Sequence, residues 1–211
     1  MINAIKKNAK VLTIAAILST GLVAITHQLT ASTIADQQRR QLLATLEQVI
    51  PATLYDNDLA QSCLTLEAPE SLGTPQPMPA YLASQAGAPS AIAIEAIAPD
   101  GYNGNIHLVV GIDLEGKVLG VRILEHQETP GLGDKIDTRV TRWVDNFVGR
   151  RLSKNNQSDW QVRKDGGQFD QFTGATITPR AVVNAVRNAG LYFLREQTNI
   201  IDAAAQCEES A

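Results

Sequence analysis

The opening stretch of the chain limits its fold more than any other part. Lys6, Lys7 and Lys10 precede an uncharged run from Val11 to Ala35, richly apolar as far as Ile25. A helix rises ~1.5 Å per residue, so about 20 such residues cross the ~30 Å hydrocarbon layer of a bilayer. Lysines ahead of the run, with no basic residue immediately behind it, place the N-terminus in the cytoplasm and the rest of the chain outside. A cleaved signal peptide has the same charge order, but its apolar core is usually about 7–15 residues long and ends at a small-x-small site. Leu29-Thr30-Ala31 is a poor site of that kind. Residues 1–35 therefore read as a cytoplasmic tip and an uncleaved transmembrane anchor, with His27 and Gln28 at the outer interface.

The chain beyond the anchor is long enough for one domain of ordinary size with connections. In a chain of 211 residues, 44% apolar and 19% charged content is that of a globular protein. The net charge of −4, with no basic stripe carrying interleaved aromatics, argues against nucleic acid as a partner. Cys63 and Cys207 have no CxxC spacing, and His27, His107 and His126 form no ligand cluster, so no metal site is expected. In an oxidising compartment the two cysteines are free to pair and close a long loop. Two unpaired thiols, with Cys207 in a frayed tail, are the equal alternative.

Residues 36–90 read as a connection. Asp36–Ile50 has Leu42, Leu43, Leu46, Val49 and Ile50 on one face and Arg39, Arg40 and Glu47 on the other, an amphipathic helix stopped by Pro51. Ala68–Ser90, with Pro69, Pro75, Pro77, Pro79 and Pro89, reads as an extended, surface-hugging segment. A core domain over 91–196 comes next, then a tail over 197–211. Ala91–Ala98, Ile106–Asp113 and Val118–Leu124 are strands, the last two joined by a hairpin at Leu114–Lys117, while Pro99–Gly104 is turn-forming. Asp137–Arg151 reads as a helix, because Val140, Trp143, Val144, Phe147 and Val148 recur at three and four. Asp159–Lys164 reads as a further short strand. This order predicts an α+β fold with a mainly antiparallel sheet and flanking helices.

One short stretch stands out for chemistry, Asp170-Gln171-Phe172-Thr173-Gly174-Ala175-Thr176-Ile177-Thr178-Pro179. Thr173-Gly174 is turn chemistry. Thr178 before Pro179 predicts a helix N-cap with proline at the first helical position. Val182, Val183, Val186, Ala189 and Leu194 then continue at helical spacing, with Gly190 the weak point. Thr176 is thus expected just ahead of a helix N-terminus, where backbone amides, the helix dipole and the Arg180 side chain favour an anion such as a phosphate.

The run from Asp170 to Thr176 resembles the flavinylation motif Asp-x-x-[Ser/Thr]-Gly-Ala-Thr of the FMN-binding domain family. Gln171 is a minor departure, since many members have a small residue after the aspartate. Gly101-Tyr102-Asn103-Gly104-Asn105-Ile106 resembles a second segment of that family, and His126-Gln127-Glu128-Thr129-Pro130-Gly131-Leu132-Gly133 a third. Together with the anchor, the plan is similar to that of the G-subunit family of Rnf (Rsx) electron-transport complexes, which has a relative in the C subunit of the sodium-translocating NADH:quinone reductase.

The resemblance implies that Thr176 carries FMN through a phosphoester bond made by an FAD-dependent FMN transferase. Asp170 then belongs to the motif the transferase reads, and Thr173, Gly174 and Ala175 shape the loop. Glu128, Thr129, Leu132 and Gly133, with Pro130 and Gly131, form a loop near the flavin ring. The implied role is a redox subunit in the cytoplasmic (inner) membrane, with its C-terminal domain in the periplasm, exchanging electrons with other subunits of a complex that moves ions. The quinone-reductase subunit and a flavin-free anchored interaction or sensory domain are the alternatives.

Overall fold

The computed structural model describes residues 2–61 and 64–210. Cys63 lies outside them, as does the side chain of Cys207, so both alternatives for the two cysteines fall outside the described residues. Two compact units divide at Leu42/Leu43. The described residues of the first are helical and belong to α1 (Ile2–Leu46). Within it Asn8–Ala31 is long and apolar enough to cross a membrane, with mean hydropathy 1.8 and no part of that stretch buried. The expected helix over Asp36–Ile50 is the end of α1, which stops at Leu46, four residues before the predicted end.

The second unit is built on a five-stranded antiparallel sheet in the order β1-β2-β3-β4-β5. Its strands are β1 (Thr65–Leu66), β2 (Met78–Gln85), β3 (Ala88–Gly101), β4 (Gly104–Asp113) and β5 (Val118–Glu125). A short α2 (Pro69–Leu72) lies between β1 and β2, and the long α3 (Ile177–Ser210) ends the fold. The α+β class and the antiparallel sheet agree with the pattern of the sequence. The segment Ala68–Ser90 does not behave as a surface connection. It holds α2, all of β2 and the start of β3, and buries Met78, Ala80, Leu82 and Ala83. Proline at the strand edge and small residues concealed that pattern.

One sheet face carries Ile92, Ile94, Ile106, Leu108, Val110 and Val121 beneath Val182, Val183, Val186, Ala189 and Phe193 of α3, all fully buried. Burial of apolar surface, worth ~25 cal/mol per Å², is what holds α3 on the sheet. The other face takes the chain that comes after α1. Gly111 of β4 pairs with Gly120 of β5, and the two leave a notch for the backbone of Val49. A Cβ on Gly111 would stand 2.0 Å from the Val49 carbonyl oxygen, and one on Gly120 2.6 Å from the Val49 Cα. Arg122 Nε donates to Gln48 Oε1 at 2.9 Å beside it. Leu46, Val49 and Ile50 are fully buried there.

Two expected elements are absent among the described residues. Asp137–Arg151 is not a helix; only Trp143–Phe147 forms a 3-10 turn, and Val140 and Val148 are half exposed. Local side-chain bonds compete with the helix here. Asp137 Oδ1 accepts from the Arg139 N–H at 2.8 Å and Thr141 Oγ1 from the Trp143 N–H at 3.2 Å. The spacing of Trp143, Val144 and Phe147 serves an aromatic cluster. Trp143 meets Phe147 and Phe172 edge-on at 5.4 and 5.3 Å, and Phe147 stacks on Phe169 at 4.4 Å. Asp159–Lys164 is likewise not a strand. It is covered by 3-10 turns at Gln157–Asp159 and Arg163–Asp165, with a lone bridge between Val162 and Phe169.

Candidate functional site

Three loops and the start of α3 enclose a cleft of 420 Å³. Its walls are Tyr102, Glu128, Thr129, Leu132, Gly133, Gly174, Ala175, Thr176, Ile177 and Thr178. The first loop is the tip of the β3–β4 hairpin. Gly101 pairs with Gly104, so Tyr102 and Asn103 alone make the turn. The second comes after β5. There the Thr129 carbonyl accepts from the N–H groups of Leu132 and Gly133, each at 3.1 Å, around a Pro130-Gly131 turn with Gly131 at φ 77. Proline fixes the first central residue of such a turn, and glycine supplies the positive φ of the second. The third runs from Asp170 to Thr176. The Ala175 N–H donates to the Phe172 carbonyl at 3.1 Å, with Gly174 at φ 82.

The aromatic cluster fixes the third loop from behind. Phe172 packs on Trp143, whose indole N–H donates to the Asp170 carbonyl at 2.8 Å. The Asp170 carboxylate turns outward to Arg163 at 3.0 Å. Thr173 and Gly174 are exposed at the turn, and Thr176 is half-buried in the cleft wall one residue before α3.

Glu128 ties the loops together. Its carboxylate is only 4% exposed. Oε1 accepts from the Asn103 N–H at 3.0 Å, and Oε2 accepts from the buried hydroxyl of Thr178. Asn103 Nδ2 also donates to the Gln127 carbonyl at 2.6 Å, and the Glu128 N–H donates to His126 Nδ1 at 3.2 Å. Gly133 has to be glycine for this packing, because a Cβ there would meet Glu128 Oε2 at 2.7 Å and Thr178 Oγ1 at 2.9 Å. Behind the loop, His126 Nε2 lies 3.7 Å from Asp137 Oδ2. Hydrogen bonds from Arg139, and then the charges of Arg139 and His126, hold the Asp137 carboxyl below the usual carboxylate range against the opposing effect of burial.

Two details of the helix start differ from the reading of the sequence. Helix α3 begins at Ile177, so Thr178 is its second residue and Pro179 its third. The Thr178 hydroxyl bonds to Glu128 and does not cap the helix. The first-turn amides without intrahelical acceptors are then those of Ile177 and Thr178, immediately beyond Thr176. Arg180 does not add a free charge. It forms a two-pronged pair with Asp165, at 2.6 and 2.9 Å.

The structure thus brings Glu128, Thr129, Leu132 and Gly133 together with Gly174, Ala175 and Thr176. It leaves Asp170 and Thr173 outside the lining. Tyr102, Ile177 and Thr178 line the cleft although sequence reasoning gave them no part in it. Only the Gly101–Gly104 segment had signalled the first of these. The residues suit a flavin mononucleotide. A volume of 420 Å³ walled by Tyr102, Leu132 and Ile177 suits a planar ring system, and the Thr176 hydroxyl beside free helix amides suits a phosphoester.

Comparison with known proteins agrees. The FMN-binding domain family matches residues 101–190, and the RnfG N-terminal region matches residues 1–49. The chain is 58% identical over 208 residues to the G subunit of the ion-translocating oxidoreductase complex of Vibrio cholerae, covering 99% of each chain. It is 54% identical to the protein of that name from Shewanella oneidensis, over 99% of this chain and 98% of the other. With that of Aliivibrio fischeri it shares 52% identity over 99% of each. The chain belongs to the Rnf G-subunit family and carries that family's FMN-binding domain.

Proposed function

We propose that this chain is the electron-carrying G subunit of an ion-translocating oxidoreductase complex. It is anchored by α1 in the cytoplasmic (inner) membrane and bears FMN covalently on Thr176 in the periplasm. The observation that carries the reading is the place of Thr176. The motif threonine stands half-buried in the wall of an apolar cleft, one residue ahead of a 34-residue helix.

Attachment requires a transferase that uses FAD. A bond forms between Thr176 Oγ and the FMN phosphorus, the pyrophosphate bond of FAD breaks, and AMP and the hydroxyl proton leave. The amides of Ile177 and Thr178 and the helix dipole favour the phosphodiester charge. Once attached, FMN supplies one- and two-electron chemistry. The protein holds it in place and shapes its surroundings. The loop Thr129–Gly133 presents Leu132, 41% exposed, to the cleft, an apolar wall on which a flavin ring would rest. The tether suits an outward-facing carrier, because a reversible Kd of ~1 μM is only about −8.2 kcal/mol and would not survive dilution.

Three threonines compete for the attachment, and their positions separate them. Thr178 is fully buried and bonded to Glu128, closed to a transferase. Thr173 is exposed at the turn but outside the cleft. The test is Thr176→Ala, expressed with the transferase and purified from its native membrane. Intact mass and in-gel fluorescence are expected to show protein without flavin, against one FMN on the parent chain. Flavin retained on the variant, or mapped by peptide mass to Thr173, overturns the assignment.

A further inference from the structure

Resting on the flavin reading, we infer that Tyr102 at the tip of the β3–β4 hairpin covers one face of the ring. It makes the β3–β4 turn the second half of the flavin site. A tyrosine on a two-residue turn gains little from folding when it is left in water, and Tyr102 is 68% exposed. It is nevertheless held more firmly than a solvated turn requires. The Asn103 N–H donates to the buried Glu128 carboxylate at 3.0 Å and the Asn103 amide donates to the Gln127 carbonyl at 2.6 Å. Gly101 admits no side chain, since a Cβ would lie 2.2 Å from the Gly104 carbonyl oxygen and 3.0 Å from Glu128 Oε1. The turn is thereby fixed to the same carboxylate that fixes the Leu132 loop and the start of α3.

Among the described residues, Tyr102 is the only aromatic in the lining of the cleft. The other large apolar groups there, Leu132 and Ile177, come from different elements and are also 41% and 45% exposed. Three exposed apolar side chains around one cleft describe a slot without its filling. Aromatic rings prefer offset face contact with another π-system, and isoalloxazine is a wide, flat one. The phenol would shield the ring from water and, as an electron donor close to it, quench its fluorescence.

The test uses the full-length protein carrying flavin, its load measured by mass, as wild type, Tyr102→Leu, Tyr102→Phe and Tyr102→Trp. Tyr102→Leu is expected to raise the flavin fluorescence yield severalfold and to make the ring more accessible to iodide quenching. Tyr102→Phe should restore protection from iodide with only part of the quenching, because phenylalanine is a poorer electron donor. Tyr102→Trp should restore both. Unchanged yield and iodide accessibility in a fully loaded Tyr102→Leu protein overturns the inference while leaving the attachment to Thr176 intact. Wild-type protein devoid of flavin overturns the attachment first and this inference with it. If Tyr102→Leu fails to load, the Phe and Trp proteins decide, and yields independent of the side chain refute the contact.

Discussion

Glu128 offers the most exacting test of how the cleft is held. Glu128→Ala removes a carboxylate that is 4% exposed and accepts from the Asn103 N–H and the Thr178 hydroxyl. A buried donor left without a partner costs about 1–3 kcal/mol. Asn103 is exposed, so its N–H is able to turn to water and bears only part of that cost. The Thr178 hydroxyl lies in the first turn of α3, where no helical carbonyl stands four residues before it, and being fully buried it bears the cost of a lost partner in full. The truncation also vacates the volume against which Gly133 packs. The expected loss is about 2–4 kcal/mol. Glu128→Gln should lose about 1 kcal/mol or less, since its carbonyl still accepts from Asn103 and a hydroxyl is able to accept from its amide. Thr178→Val, nearly isosteric, leaves Oε2 unpaired and should cost about 1–3 kcal/mol. The double variant Glu128→Ala, Thr178→Val should be less destabilised than the sum, by about 1 kcal/mol or more. Urea unfolding of the full chain in detergent, followed by the fluorescence of buried Trp143 and Trp160, reads these values. A Glu128→Ala protein within about 0.5 kcal/mol of wild type, or strict additivity in the cycle, refutes the idea that this carboxylate joins the loops.

Four further outcomes are expected in other parts of the molecule. Gly111→Ala drives a Cβ to 2.0 Å from the Val49 carbonyl and should cost about 1–3 kcal/mol, because the obstacle is backbone and cannot rotate away; a neutral change in unfolding midpoint would show that residues 46–50 do not rest in that notch. Glu95 has its carboxyl raised above its ordinary value of 4.5 by burial, against the smaller lowering effects of the Tyr81 hydroxyl at 2.9 Å and of His107. The folded state therefore holds this proton more tightly, and the group's contribution to stability falls as pH rises from the unfolded value through the raised one. Glu95→Gln, which still accepts from Tyr81, should be more stable than wild type near pH 7 and lack that decline, whereas equal pH slopes would refute it. Asp137 acts in the opposite sense and in a lower window, since its depressed carboxyl gives stability that is lost only as pH falls below 3.8 through the folded value. For topology, a reporter fused after Ala211 should be active only on the outer side of the membrane, and cytoplasmic activity would reverse the orientation read from Lys6, Lys7 and Lys10.

How much was legible in the sequence depended on how local the responsible physics is. Runs rich in Val, Ile and Leu on either side of turn residues marked Ile106–Asp113 and Val118–Leu124, and both are strands, because those side chains are the ones the sheet buries. The helical spacing of Val182, Val183, Val186 and Ala189 marked α3. β2 was hidden because Pro79, Ala80 and Ala83 lack the bulk that a strand pattern is read from; its pairing with β3 comes from the sheet. Trp143, Val144 and Phe147 misled because spacing of three and four also serves a 3-10 turn that feeds a cluster of rings. Asp137 and Thr141, whose side chains cap the turns ahead of them, were the local sign against a helix.

The site divides along the same line. Resemblance to the family's motifs singled out Thr176 and the Thr129–Gly133 loop, and residues of both line the cleft. The role of Thr178 was misjudged from local chemistry that is sound in isolation. A threonine before a proline at a helix start is a good cap, and nothing within ten residues argues otherwise. Its partner is Glu128, 50 residues away in sequence, and the helix already starts at Ile177. The earlier start has a chemical consequence, since it brings the unpaired amides of Ile177 and Thr178 to the residue proposed to carry the phosphate. A cap at Thr178 would have started the helix later and turned its hydroxyl to the amides of Arg180 and Ala181, farther from Thr176. By turning that hydroxyl to the carboxylate, the fold leaves the helix N-terminus open toward Thr176 and ties its orientation to the two loops on which a flavin ring would rest.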